Sequence, residues 1–136
     1  MPQGKILIAD DEKEIRDLFV ESLERQGLTV VAASDGAGAV ELIREGGVSI
    51  AFLDIRMPGL NGIDALREIM LISPDTQVIM ITGHSEDSTV EEALRRGSFL
   101  CLMKPFKIRD VLGLLEVLDA QTEMKAQKQA QSELAA

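Results

Sequence analysis

Asp10 and Asp11, Asp54, Thr82 and Lys104 stand where apolar runs stop. The acid pair closes residues 5–9, Asp54 ends the run that begins at Ile50, Thr82 is the last residue of 77–82, and Lys104 follows 98–103. Three carboxylates crowded together disfavour one another's ionisation. A hard divalent cation relieves that conflict, and magnesium takes one or two carboxylates together with waters and phosphate oxygens. A hydroxyl from Thr82 and an ammonium from Lys104 complete a set suited to a phosphoryl group with Asp54 at its apex. Such chemistry asks a protein mainly for in-line positioning and neutralisation of oxygen charge.

These residues meet only if the runs that carry them lie side by side. Residues 5–9, 28–33, 48–54, 77–82 and 98–103 have strand length, and the central ones are apolar without alternation, as in strands buried on both faces. Between them, helical spacing predicts helices over 12–26, about 39–45, 61–71, 88–96 and 108–118. Ile15, Leu18, Phe19 and Leu23 form the first apolar stripe, and Ile63, Leu66, Ile69 and Met70 the third; Gly97 is placed to cap the fourth helix. Gly38 weakens the start of the second helix. Alternating strands and helices imply an α/β fold: a doubly wound, flavodoxin-like, five-stranded parallel sheet of order 2-1-3-4-5, flanked by five helices. Ligands bind such sheets at the carboxyl edge, where the five polar residues fall.

The chain has the length of one domain, read as residues 1–120, with a polar tail at 121–136 that is a helix extension, a linker stub or disordered. A net charge of −9 without clustered Lys and Arg argues against direct nucleic-acid binding. No apolar run approaches the roughly 20 residues that span a bilayer, nor does a basic segment lead into a signal core, so a cytoplasmic protein without a membrane role is expected. One cysteine, Cys101, excludes an internal disulfide and a thiol-rich metal site. Met57, Met80 and Met103 are expected in the core.

Over residues 5–118 the chain resembles the receiver domain of two-component response regulators. The resemblance rests on Asp10-Asp11, on Asp54-Ile55-Arg56-Met57-Pro58-Gly59-Leu60-Asn61-Gly62, on Thr82-Gly83 and on Lys104-Pro105-Phe106, each at the end of its own strand. Its wording is most similar to receivers of the nitrogen-regulation type. The resemblance implies that Asp54 accepts a phosphoryl group from a sensor histidine kinase, a phosphotransfer protein or a small acyl phosphate. Asp11, Asp54 and the backbone carbonyl of Arg56 would hold Mg2+, and Asp10 would act through a metal-bound water. Lys104 and Thr82 would each contact a phosphoryl oxygen, and a cis Lys104-Pro105 bond would set how Lys104 enters. The protein would catalyse only its own phosphorylation and slow dephosphorylation, without being an enzyme in the wider sense. Output would pass to a protein partner, to a homodimer through the helix 4, strand 5 and helix 5 face, or to an output domain outside this chain.

Cys101 departs from the family, which usually carries Tyr or Phe at this switch position, so signalling is expected to rely on loop and helix-four rearrangement. His84 and Arg56, each two residues beyond a site residue, would lie near the phosphate. Two other readings stand beside the switch. An aspartate-nucleophile phosphohydrolase would want an acid where Arg56 stands, and a phosphorylation-independent interaction module would not need the complete site.

Overall fold

The computed structural model describes residues 3–83, 91–93, 95–98 and 100–119. Five parallel strands, β1 (Lys5–Ala9), β2 (Thr29–Ala33), β3 (Val48–Asp54), β4 (Gln77–Thr82) and β5 (Leu100–Met103), form one sheet in the order β2-β1-β3-β4-β5. Helices α1 (Lys13–Glu24), α2 (Gly36–Arg44) and α3 (Gly62–Ile72) connect the first four strands; helical residues 91–93 and 95 (α4) and 108–119 (α5) complete the set. This is the doubly wound architecture the sequence predicts. The expected tail at 121–136, the first turn of the expected fourth helix and His84 lie outside the described residues.

Each strand divides its side chains between two cores because successive Cβ atoms point to opposite faces. Leu7, Ala51, Leu53, Val78 and Met80 pack with Val40 of α2, Leu66 and Ile69 of α3 and Ala93 of α4. Ile6, Ile8, Phe52, Ile79 and Ile81 face the other way, onto Phe19 and Leu23 of α1 and Val111, Leu115 and Leu118 of α5. Two expectations fail here. Leu18 is 39% exposed because Phe19 and Leu23, four residues apart, point α1 at the sheet and leave Leu18 on its flank. Met103 is 43% exposed because it ends β5, the short edge strand, whereas Met57 and Met80 are buried.

Helix starts are set by local caps. Asp35 accepts from the Gly38 N–H at 2.7 Å, which begins α2 at Gly36, ahead of the expected start and despite Gly38. Asn61 accepts from the Asp64 N–H at 3.0 Å and begins α3 one residue later than expected. Gly97, at φ 108°, ends α4, with the Ser98 N–H donating to the Ala93 carbonyl at 3.0 Å. β5 begins at Leu100, later than expected, because the buried Ser98 hydroxyl bonds the carbonyls of Val78 and Leu100 at 3.2 and 2.9 Å instead.

One close approach matters for the site. A Cβ on Gly62 would lie 2.3 Å from the Asp54 carbonyl oxygen and 2.7 Å from Ile55 Cα, so only glycine lets α3 start against the backbone that carries Asp54. Gly62→Ala is therefore expected to destabilise the protein by about 1–3 kcal/mol through forced backbone movement. Gly113, in α5 with nothing among the described residues within 4 Å of a new Cβ, makes the control: Gly113→Ala should stabilise by about 0.5–1 kcal/mol. Urea unfolding midpoints of both variants check the pair.

Candidate functional site

Register brings the site together. Ala9 pairs with Leu53, Asp54 with Ile81 and Thr82 with Met103, so Asp10, Asp54, Thr82 and Lys104 emerge at one edge of four adjacent strands. Lys104 is tied to β4 by its backbone N–H, which donates to the Thr82 carbonyl at 2.8 Å. The Lys104-Pro105 peptide is cis. Phe106, the next residue, packs edge-on against Phe19 at 5.8 Å between ring centroids, and Phe19 packs the same way on Phe52 at 5.0 Å. An aromatic chain from β3 through α1 thus anchors the segment that delivers Lys104.

The Lys104 ammonium is the hub of the charges. It lies 3.2 Å from Asp10 Oδ2, 3.2 Å from Asp54 Oδ2 and 3.4 Å from Glu12 Oε1. It donates a hydrogen bond to Asp54 Oδ2, while the Arg56 backbone N–H donates to Asp54 Oδ1 at 3.1 Å. Each oxygen of the Asp54 carboxylate is thereby oriented. Asp10 is fully buried: its Oδ1 accepts from the Glu12 N–H at 2.8 Å, and among the described residues its Oδ2 has no aligned hydrogen-bond donor, although the ammonium is near. Burial pulls the Lys104 pKa down, but the Asp10 and Asp54 carboxylates outweigh it and the net shift is upward.

Burial, reinforced by the Asp54 charge, raises the Asp10 pKa from 3.8 to about 6 against the opposing pull of the Glu12 N–H and Lys104. The folded protein therefore binds a proton at Asp10 more tightly than the unfolded chain does. Between pH 3.8 and about 6 the folded state carries more of this proton, so stability from this group falls as pH rises through that window. Two pKa units correspond to at most about 3 kcal/mol. In chelator, melting temperature against pH should show this decline, and Asp10→Asn should flatten it.

Whether the acids suit a divalent cation is answered by their own arrangement. Carboxylate oxygens of Asp10, Asp11 and Glu12 lie within 4.8 Å of one another, and Asp10 Oδ2 is buried with no aligned hydrogen-bond donor among the described residues, the Lys104 ammonium lying 3.2 Å away; clustered carboxylate oxygens of this kind suit a hard divalent cation. Asp11 is exposed and borders an open groove of about 730 Å3 with Arg56, Met57, Asn61 and Glu92, which leaves one side of the site accessible. These residues fit magnesium.

Thr82 is buried at the end of β4. Gly83 beside it is exposed; among the described residues, a Cβ there would touch only the Lys104 stem, at 3.8 Å. Cys101 sits opposite Met80 in the sheet, half-buried against the α2–α3 core, and burial pushes its thiol pKa up. Two participants lie outside the set of residues that the sequence singles out: Glu12 reaches Lys104, 92 residues away, and Arg16 donates to the Asp10 carbonyl at 2.7 Å. Their adjacency to the acid pair was the available signal.

A family model described as the response regulator receiver domain matches residues 6–116. Among curated proteins, the chain is 37% identical over 112 residues to the regulatory protein AtoC of Escherichia coli (strain K12), covering 82% of this chain and 24% of that one. It is 30% identical over 111 residues to sporulation initiation phosphotransferase F of Bacillus subtilis (strain 168), covering 82% and 90%. The chain spans about a quarter of the length of AtoC and of the DNA-binding transcriptional regulator NtrC of Escherichia coli (strain K12). Among solved structures, a CheY-like receiver domain protein from Methanospirillum hungatei JF-1 superposes with a TM-score of 0.84 at 29% identity, covering 90% and 99% of the two chains. The receiver domain of NtrX from Brucella abortus gives 0.77 at 36% identity, covering 83% and 96%. The family match runs from β1 into α5 and so takes in every strand end that carries a site residue: this chain belongs to the response regulator receiver domains, the phosphoacceptor switches of two-component signalling.

Proposed function

We propose that Asp54 is the phosphoacceptor. The observation that carries this reading is the orientation of its carboxylate, with Oδ1 held by the Arg56 N–H and Oδ2 by Lys104 at the carboxyl edge of the central strand. A carboxylate oxygen of Asp54 attacks phosphorus, a new P–O bond forms, and the bond from phosphorus to the donor's histidine nitrogen or acyl oxygen breaks. Its electron pair leaves with the donor.

Asp11, Asp54 and the backbone carbonyl of Arg56 would hold Mg2+, with Asp10 contributing through a bound water and Glu12 available at the rim. The ion supplies neutralisation of phosphoryl oxygen charge. Lys104 moves from carboxylate to a phosphoryl oxygen, and Thr82 donates its hydroxyl to another. Self-catalysed phosphorylation and slow dephosphorylation belong to the same set of groups.

The donor in the cell is a sensor histidine kinase or a phosphotransfer protein, in the cytoplasm. The receiver occupies residues 1–120, and residues 121–136 connect it or extend α5. Output passes through the α4, β5 and α5 face to a protein partner, a second copy or a further domain, rather than by direct contact with nucleic acid. Among the described residues no helix is long and apolar enough to cross a membrane. Cys101, Thr82, Lys104 and Pro105 form the switch region; without an aromatic ring at Cys101, loop and α4 movement carries the signal.

Incubation with Mg2+ and a small acyl phosphate, followed by intact-mass measurement, tests the reading. One phosphoryl group per chain, dependent on magnesium, is expected. Rapid multiple turnover on phosphate esters would indicate a phosphohydrolase instead, and equal partner affinity of both forms would remove the switch.

A further inference from the structure

We propose that Arg16 is a positioning residue for the acid pair, acting on the Asp10 backbone rather than through its charge. The basic residues at the two ends of α1 pair with acids four residues away on the exposed helix surface, as Lys13 does with Asp17 at 2.7 Å and Arg25, just past the last residue, with Glu21 at 3.2 Å. Arg16 does not. Among the described residues it forms no ion pair, and its Nη1 reaches back six residues to the Asp10 carbonyl at 2.7 Å.

That carbonyl belongs to a fully buried residue just beyond the last residue of β1. Leaving such a carbonyl without a donor carries a desolvation cost, so the bond is one the fold has reason to keep. It also completes the restraint of Asp10, whose N–H donates to the Ala33 carbonyl at 3.1 Å and whose Oδ1 accepts from the Glu12 N–H. Strand β2, the residue that precedes α1 and Arg16 thus fix Asp10 from three directions. With the carbonyl released, the peptide between Asp10 and Asp11 is free to rotate, and rotation there re-aims both carboxylates. Arg16 is absent from the charges that set the Asp10 pKa, which are those of Asp54 and Lys104.

The magnesium arm of this inference rests on the phosphoacceptor reading, and the sign of the effect separates positioning from charge. Removing a cation near a metal site by itself tightens Mg2+ binding; releasing the backbone that aims the ligands weakens it. Loss of a residue that orients metal ligands costs about 10–100-fold in affinity. Mg2+ titration calorimetry on Arg16→Ala should show binding weaker by about 10-fold, with partial recovery in Arg16→Lys. Val40→Ala, a core change in α2, should lower melting temperature without this loss.

Amide exchange on the metal-free protein gives a readout independent of metal. In Arg16→Ala the Glu12 N–H should exchange faster by about 10-fold beyond any change at the Leu53 N–H, which reads global opening. Unchanged or tighter Mg2+ binding overturns the proposal, as does unchanged Glu12 exchange. Should the wild type bind no Mg2+, the metal reading fails and exchange at Glu12 alone decides for or against Arg16. Should Arg16→Ala not fold, Arg16→Lys and Arg16→Gln carry the same comparison.

Discussion

Lys104→Met is expected to cut the rate of labelling by an acyl phosphate about 100-fold while lowering stability only modestly. Removing one preorganised group aimed at transition-state charge typically costs about 10²–10³ in rate, and methionine retains the stem that packs beneath Gly83. The stability argument turns on Asp10. Losing one partner of a buried ion pair ordinarily costs about 3–5 kcal/mol, because a charge is left alone. Asp10 has another course open to it: with its pKa already raised to about 6 while Lys104 is present, it rises further without Lys104 and takes up a proton near neutrality. That caps the loss at about 1–2 kcal/mol at pH 7 and makes stability fall more steeply with pH around neutrality. Labelling rate by intact mass and melting temperature at several pH values check the two halves separately.

Asp54→Asn is expected to reduce labelling below detection and, in chelator at pH 7, to stabilise the fold by about 1 kcal/mol. The amide keeps the acceptor that the Arg56 N–H and Lys104 use, so the local geometry has little reason to change. It lacks the nucleophilic charge. The gain in stability follows from the second-largest contribution raising the Asp10 pKa, the Asp54 charge, which vanishes in the amide. Variants that lose labelling through misfolding move stability the other way, so the opposite signs of the two readouts identify a chemical rather than a structural loss.

Much of this was legible in the chain because strands buried on both faces leave an uninterrupted apolar run, and each site residue is the polar group at which such a run stops. Asp10, Asp54, Thr82 and Lys104 all fall at the edge where the predicted strand order places them. Glu12 and Arg16 were not legible, because their roles depend on the path of one loop: Glu12 sits where acids commonly favour a helix start, and an arginine on an amphipathic helix reads as solvated until its carbonyl partner is known. The start of α2 differs from the expected one for a similar reason, since the weakness of Gly38 as a helix former is offset by the bond its N–H gives to Asp35. Leu18 shows the limit of periodicity itself, since a stripe of four apolar residues does not say which of them will lie at its margin.

Locating the phosphoryl group is the most direct test of the central claim. The protein labelled with an acyl phosphate in Mg2+ can be reduced with borohydride, which converts an aspartyl phosphate to homoserine, and then digested and sequenced by mass spectrometry. Conversion confined to Asp54 is the predicted result. Conversion at Asp10 or Asp11, or label surviving in Asp54→Asn, would contradict it.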